Sequence, residues 1–238
     1  MVISSEATRR LLITAGPTHE PIDAVRFLGN RSSGRLGCAL SDYAQDHGWK
    51  VTLLLGPHTI RPMNPEIEVI GFQSTADLGD LLQTHFPQSD TLIMAAAVAD
   101  YRPIASEIDL TGKRRREGKN LTIELESTQD LLAQCSAMAR SNQFLVGFAL
   151  EPKDRLMESA LSKLERKNID LIVANTLETM DSGSIEATLL GNDARGVSIP
   201  RSTQVNMTKA DFAQWLIDQV TPLAILRMDA SSESSTND

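Results

Sequence analysis

Three stretches of this chain gather side chains able to meet a charged ligand. "KRRREGK" (113–119) places five cations against one carboxylate in a chain whose formal charge is −8. Such a run reads as a solvated loop, or as a basic flap over phosphates, where cations offset the charge developing on phosphorus. "AAAVADYRP" (95–103) has three alanines that let a flat or bulky ligand approach a strand end, and Asp100 where strand gives way to loop. There a carboxylate can bind a base, a ribose or a magnesium-bound phosphate, or simply cap a turn. "TAGPTHEPIDAVRFLGNRSSGRLG" (14–37) is long for a strand-to-helix connection, which commonly needs about 2–6 residues. Gly16 permits a sharp exit from the strand, and Gly34 and Gly37 let the next helix lie close to the sheet. Ser32, Ser33 and the free N–H groups at that helix start form an anion seat. Lys163 and Lys167 share one helix face, a pairing that the helix dipole alone also explains.

Other chemistries are poorly represented. "GPTHEP" lacks the second and third glycines of the dinucleotide fingerprint, and no G-x-x-x-x-G-K-[ST] occurs. No Ser-His-Asp arrangement, cysteine nucleophile or carboxylate pair stands out. Two cysteines make no disulfide framework, and four scattered histidines without C-x-x-C argue against zinc. Cys38 fits a helical apolar pattern as a small core residue. The acidic balance disfavours general adhesion to nucleic acid. With no leader-like N-terminus and no run near the roughly 20 apolar residues of a span, the expectation is a soluble, cytoplasmic protein away from the membrane.

Those stretches need a scaffold. Apolar runs at 11–15, 50–56, 68–72, 91–99, 144–150 and 170–175 read as buried strands. Helical spacing at 34–47, 75–86 and 153–167 falls between several of them. Strands buried on both faces and joined by helices imply α/β architecture: a Rossmann-like, doubly wound, mostly parallel sheet with right-handed crossovers. Residues 101–126 interrupt the rhythm with a polar excursion that holds the basic flap and a strand in "LTIELE". Residues 180–207 read as a small antiparallel β addition, followed by a helix over 208–220 capped by Thr208. One domain over 1–222 is expected, with 223–238 a polar, disordered tail. In open parallel sheets, ligands lie beyond the carboxyl ends of the strands, which gathers the loops after 15, 99 and 150.

Taken together, "ITAGPTHEPIDAVRFLGNRSSGRLG", "AAAVADYRP", "KRRREG", "VGFALE" and "KNIDLIVAN" resemble phosphopantothenate–cysteine ligase, also called phosphopantothenoylcysteine synthetase. The resemblance runs in order over about 10–220 and implies a ligase of coenzyme A biosynthesis. In that family 4'-phosphopantothenate is activated by CTP with Mg2+, pyrophosphate leaves, and cysteine displaces CMP from an acyl-cytidylate. By resemblance, Asn30 and Arg26 bind the acyl end of the substrate, Ala97 the pantothenate arm, and Lys113 serves nucleotidyl transfer. The nucleotide would lie along Asp100, Phe148, Lys163 and Lys167, with backbone contacts at Ala95, Ala96 and Asp130. The family also implies a homodimer whose flap and substrate site draw on both subunits. Its synthetase is often fused behind a flavin-dependent decarboxylase. This chain opens at the synthetase strand, so the free-standing form is expected, without FMN and with any decarboxylase on a separate chain.

Some positions depart from the family pattern. Gly29 stands where serine is usual, Lys113-Arg114-Arg115-Arg116 replaces a lysine-richer flap, and Gln129 and Pro152 replace a common proline and threonine. Arginine is not a geometric copy of lysine. Competing readings are a Rossmann-like oxidoreductase using NAD(P) or flavin, and a silent nucleotide-binding regulator, since fold does not fix function.

Overall fold

The computed structural model describes residues 8–115, 118, 120–179, 183–203 and 207–234. Arg116, Glu117 and Lys119 of the basic run therefore lie outside the described residues, as do parts of the β addition and the last four residues. Eight strands form one sheet: β1 (Arg9–Ala15), β2 (Trp49–Leu55), β3 (Glu68–Gly71), β4 (Thr91–Met94), β5 (Phe144–Glu151), β6 (Leu171–Thr176), β7 (Ala187–Gly191) and β8 (Pro200–Ser202). Their order is β8-β7-β6-β5-β4-β1-β2-β3. β1 to β6 run parallel, and β7 and β8 add antiparallel at the edge. The chain leaves β1 outward to β3, then returns to β1's other side at β4. This reversal is the topological switch point of a Rossmann sheet.

Helices cover both faces. On one side α1 (Arg35–Asp46) and α5 (Lys209–Ser234) bury Cys38, Leu40, Phe212 and Leu216 against Leu11, Ile13 and Val51. On the other, α2 (Thr75–His85), α3 (Leu131–Met138) and α4 (Leu156–Lys167) bury Leu78, Leu82, Leu132 and Leu164 against Leu12, Leu54 and Leu92. Alternate residues of β1 thus face opposite helical layers, which is why its sequence is a continuous apolar run rather than an alternating one. Burying each such Leu is worth about 1.5–3 kcal/mol.

Two local features bring α1 onto the strand that precedes it. A Cβ on Gly37 would stand 2.2 Å from the Ala15 Cβ, so only glycine allows this approach. Gly34 holds φ +68° at the helix entrance, a left-handed conformation that glycine adopts without strain. α2 begins with a capping box between Ser74 and Asp77. The buried Glu20 carboxylate accepts from the Thr75 N–H at 2.8 Å and from its hydroxyl at 2.7 Å, fastening the loop after β1 to α2.

Several sequence expectations change. The strand expected over 91–99 ends at Met94 because the next N–H groups turn toward β1: Ala95 to Thr14 O, Ala96 to Thr14 Oγ1, and Ala97 to Gly16 O. The loop after β1 contains an unforeseen hairpin, His19–Pro21 against Phe27–Gly29, closed by stacking of the His19 and Phe27 rings at 3.6 Å. Of "LTIELE" only Leu125 and Glu126 are strand, in Leu125–Ser127, which pairs with Tyr101–Pro103. α3 was not foreseen, and α4 starts at Leu156 rather than 153. Thr208 does cap the last helix, accepting from the Asp211 N–H at 3.1 Å. That helix runs on to Ser234 instead of stopping at 220, so residues 223–234 are ordered helix rather than tail. Ala224 is fully buried, and the Arg227 guanidinium reaches the buried Asp170 carboxylate at 2.7 Å.

Candidate active site

A cleft of about 900 Å³ opens at the carboxyl edge of the sheet, at the switch point between β1 and β4. One wall is the entrance to α1, with Ser32, Ser33, Gly34 and Arg35. No side chain caps this helix start. Its first-turn N–H groups and the dipole therefore favour an anion there.

The opposite wall is the turn after β4. Ala95, Ala96, Ala97 and Asp100 all line it. The N–H groups of Ala95, Ala96 and Ala97 are committed to β1 and the residues after it, and that of Ala99 to Thr18 Oγ1 at 2.9 Å. Asn30 bridges the walls, its Nδ2 donating to Val98 O at 3.0 Å and to Ala97 O at 3.3 Å. With those N–H groups committed, the turn has no donor at Ala95–Ala97 for a phosphate, and the Ala97 carbonyl is itself taken by Asn30 and by the Thr18 N–H at 3.2 Å. Asn30 keeps its own Oδ1 as a further acceptor.

The floor comes from β5, α3 and α4. Phe148 is half-buried in the cleft lining, and Lys163 donates to its carbonyl oxygen at 2.6 Å. Lys167 pairs with Asp130 at 2.7 Å, while Asp130 also caps α3 by accepting from the Ala133 N–H. Burial lowers the Lys163 pKa, and Lys167 lowers it further, with Asp130, Asp100 and Glu151 acting in the opposite direction. Asp130 is held below the usual carboxylate range: burial raises it, but Lys167, the Ala133 N–H and Lys163 outweigh that.

The structure thus places Asn30, Ser32, Ser33, the three alanines, Asp100, Asp130, Phe148, Lys163 and Lys167 around one cavity. Gly16, Arg26 and Lys113 are not on its wall. Gly16 serves the backbone, with φ +83° beneath the α1 entrance. Arg26 turns to Asp23 in an ion pair at 2.6 Å. Lys113 is exposed, in a segment lying on the hairpin. Side chains that sequence reasoning passed over complete the lining, Arg31, Arg35, Arg166, Asn175 and Lys209, together with Gln129, which departs from the family pattern. Arg31 and Arg35 flank the serine pair and were visible in sequence. Lys209 arrives from the far end of the chain and left no local signal.

Among the described residues, no group of three or more His, Cys, Asp or Glu side chains is placed to hold a metal ion. The exposed Asp100 carboxylate on the cleft wall suits the lighter demand of magnesium, which keeps several waters and binds through one or two carboxylates plus substrate phosphates. The dinucleotide alternative fares worse. Where its tight glycine turn would be, this chain has the His19–Gly29 hairpin.

A sheet with its cleft at the switch point, lined by an uncapped helix start and by two lysines on its floor, defines a Rossmann-like α/β protein. The chain belongs to the family described as the DNA/pantothenate metabolism flavoprotein C-terminal domain, which it matches over residues 7–223. It is 46% identical over 175 residues to a cysteine/cysteine sulfinic acid decarboxylase of an unknown prokaryotic organism, a match covering 74% of this chain and 48% of that protein. It is 38% identical over 213 residues to the coenzyme A biosynthesis bifunctional protein CoaBC of Mycobacterium bovis, covering 84% of this chain and 50% of that one. The solved C-terminal domain of a coenzyme A biosynthesis bifunctional protein CoaBC matches the fold with a TM-score of 0.74 at 32% identity, covering 93% of this chain and 96% of that domain. The chain spans about half the length of the curated relatives it matches. No described helix is long and apolar enough to cross a membrane.

Proposed function

We propose that this chain joins 4'-phosphopantothenate to L-cysteine in coenzyme A biosynthesis, through an acyl-cytidylate formed from CTP. The carboxylate attacks the α-phosphorus, the bond to the bridging oxygen breaks, and pyrophosphate leaves. The cysteine amine then attacks the acyl carbon, CMP departs with the bonding pair, and the amine proton is lost to solvent. The observation carrying this reading is the cleft itself, where Asn30, an uncapped helix start and the pair Lys163 and Lys167 line one cavity. The family membership and the coenzyme A relatives support it.

In this reading the α1 entrance with Ser32 and Ser33 receives phosphate oxygens, and Lys163 and Lys167 hold the nucleotide from below. Phe148 offers a ring face to the base. Asn30 and Arg26 hold the acyl end, beside Ala97 on the pantothenate arm. Lys113 offsets charge on the pentacoordinate phosphorus. Magnesium enters with the nucleotide, and Asp100 is the carboxylate placed to meet it. The acting unit is a cytoplasmic homodimer in which the basic segment and substrate site draw on both chains.

The test is incubation with CTP, magnesium and phosphopantothenate, with cysteine omitted. Pyrophosphate release is expected and separates a ligase from an oxidoreductase and from a silent binding protein. No pyrophosphate under these conditions would overturn the proposal.

A further inference from the structure

The Asp23 carboxylate is buried, with no exposed side-chain surface, and it satisfies four donors. Its Oδ1 accepts from the backbone N–H of Val25 at 2.9 Å and of Arg26 at 2.7 Å, the pattern of an ordinary turn. Its Oδ2 does something a turn does not need. It accepts from Arg26 Nε at 2.8 Å and from the backbone N–H of Arg114, 91 residues away, at 3.1 Å. The Arg26 guanidinium then donates to Arg114 O at 2.8 Å, so Asp23 and Arg26 take both backbone groups of Arg114. The seam continues through Ala24 N–H to Gly112 O at 3.1 Å and Asp109 N–H to Ile22 O at 3.2 Å. On the far side, Arg114 reaches the Glu107 carboxylate at 3.1 Å.

Lys113 is therefore clamped on both sides, by Gly112 O and by Arg114 N–H, while its own side chain stays exposed. The clamp sits in the turn of the hairpin whose second strand, Phe27–Gly29, ends next to Asn30. We propose that Asp23 is a positioning residue: it locks the root of the basic segment to the Asn30 hairpin, so that Lys113 and Asn30 are presented as one rigid unit. This rests on the nucleotidyl-transfer reading for what Lys113 does, but not for how it is held. Burial would raise the Asp23 pKa. The Arg26 guanidinium and the three N–H donors outweigh burial and hold the carboxyl well below its usual range, so the lock stays charged at neutral pH. Glu20 and the His19–Phe27 stack fasten the hairpin independently, so loss of Asp23 should free the segment without unfolding the sheet.

The experiment compares the parental chain with Asp23→Asn, which keeps the shape but points an amide NH2 at two existing donors. Cleavage by trypsin after Lys113, Arg114 and Arg115, followed by mass spectrometry, is expected to be at least about tenfold faster, because cleavage tracks the population of the open segment. The thermal midpoint should fall by only about a few degrees, the share of stability that the lock itself holds, and equilibrium CTP binding should stay near parental. Pyrophosphate release should fall by about 10²-fold, the cost of misplacing a reacting group by about 1 Å. Parental cleavage rates, or cleavage that rises equally at trypsin sites in the helices and strands, would overturn the proposal. So would parental pyrophosphate release despite faster cleavage. If Asp23→Asn does not fold, Arg26→Gln removes only the guanidinium arm and must also speed cleavage, or the proposal fails. A parental chain that releases no pyrophosphate would sink the ligase reading, leaving the cleavage comparison to decide this one.

Discussion

The Asn30 amide nitrogen lies 3.0 Å from the carbonyl oxygen of Val98 and 3.3 Å from that of Ala97, across the mouth of the cleft. Both carbonyls belong to the turn that leaves β4, so this one side chain ties the loop after β1 to the loop after β4. Asn30→Asp would set a carboxylate against two carbonyl oxygens and lose both donors. Leaving polar groups so mismatched costs about 1–3 kcal/mol. We expect pyrophosphate release to persist while amide formation falls at least about tenfold, read as the ratio of the two products in a quenched time course. Amide formation at the parental rate would remove Asn30 from the second step.

Lys113→Gln tests the cation directly. The substitution stays polar, is one bond shorter and removes the charge, so CTP binding should hold and pyrophosphate release should disappear. Isothermal titration reports the first and a phosphate-coupled assay the second. Unchanged turnover would transfer the role to Arg115 or Arg116.

The parallel strands and the doubly wound class were legible because each strand is short, apolar and followed by its own helix or loop, and because Gly34 and Gly37 mark a close helix start; the order of the strands was not. Most of the cleft followed from one rule about strand ends. Arg26 shows where that reasoning stopped. The resemblance assigns it to the acyl end beside Asn30, yet the hairpin turns it to Asp23 and Arg114. The hairpin could not be inferred, since its strands "HEP" and "FLG" carry no alternating pattern. The end of α5 misled for a related reason. "DASSESSTND" has the composition of a tail, but Ala224 and Arg227, just before it, are anchored by tertiary contacts that composition does not report.

Those contacts carry a stability prediction. Asp170 is wholly buried and receives Arg195 Nε at 2.8 Å, Arg227 at 2.7 Å and the Leu145 N–H at 2.8 Å. Removing one side of such a cluster strands buried charge, so Asp170→Ala should cost about 3–5 kcal/mol in denaturant unfolding. Truncation after residue 222 removes Ala224 and Arg227 together and should also destabilise the chain. A truncated chain as stable as the full one would show that the last turns of α5 only rest on the core.

Lys163 gives the pH dependence. Its ammonium is disfavoured first by burial and then by Lys167, so its folded pKa lies below the ordinary lysine value of 10.5. For a lysine lowered in this way, the folded chain carries a penalty at neutral pH. Stability should therefore rise as pH climbs from the folded pKa toward 10.5, where the unfolded chain holds the extra proton. Binding has the opposite slope. A bound phosphate favours the charged lysine and raises its pKa, so nucleotide affinity should be steady at neutral pH and weaken as pH passes the free protein's value. Titrations across that range, in two buffers of different ionisation enthalpy, should show proton uptake on binding. Lys163→Met should abolish the uptake and flatten the alkaline limb while leaving Lys167 with Asp130. If the limb survives in Lys163→Met, the group that titrates is elsewhere, and Lys163 only supports the Phe148 carbonyl.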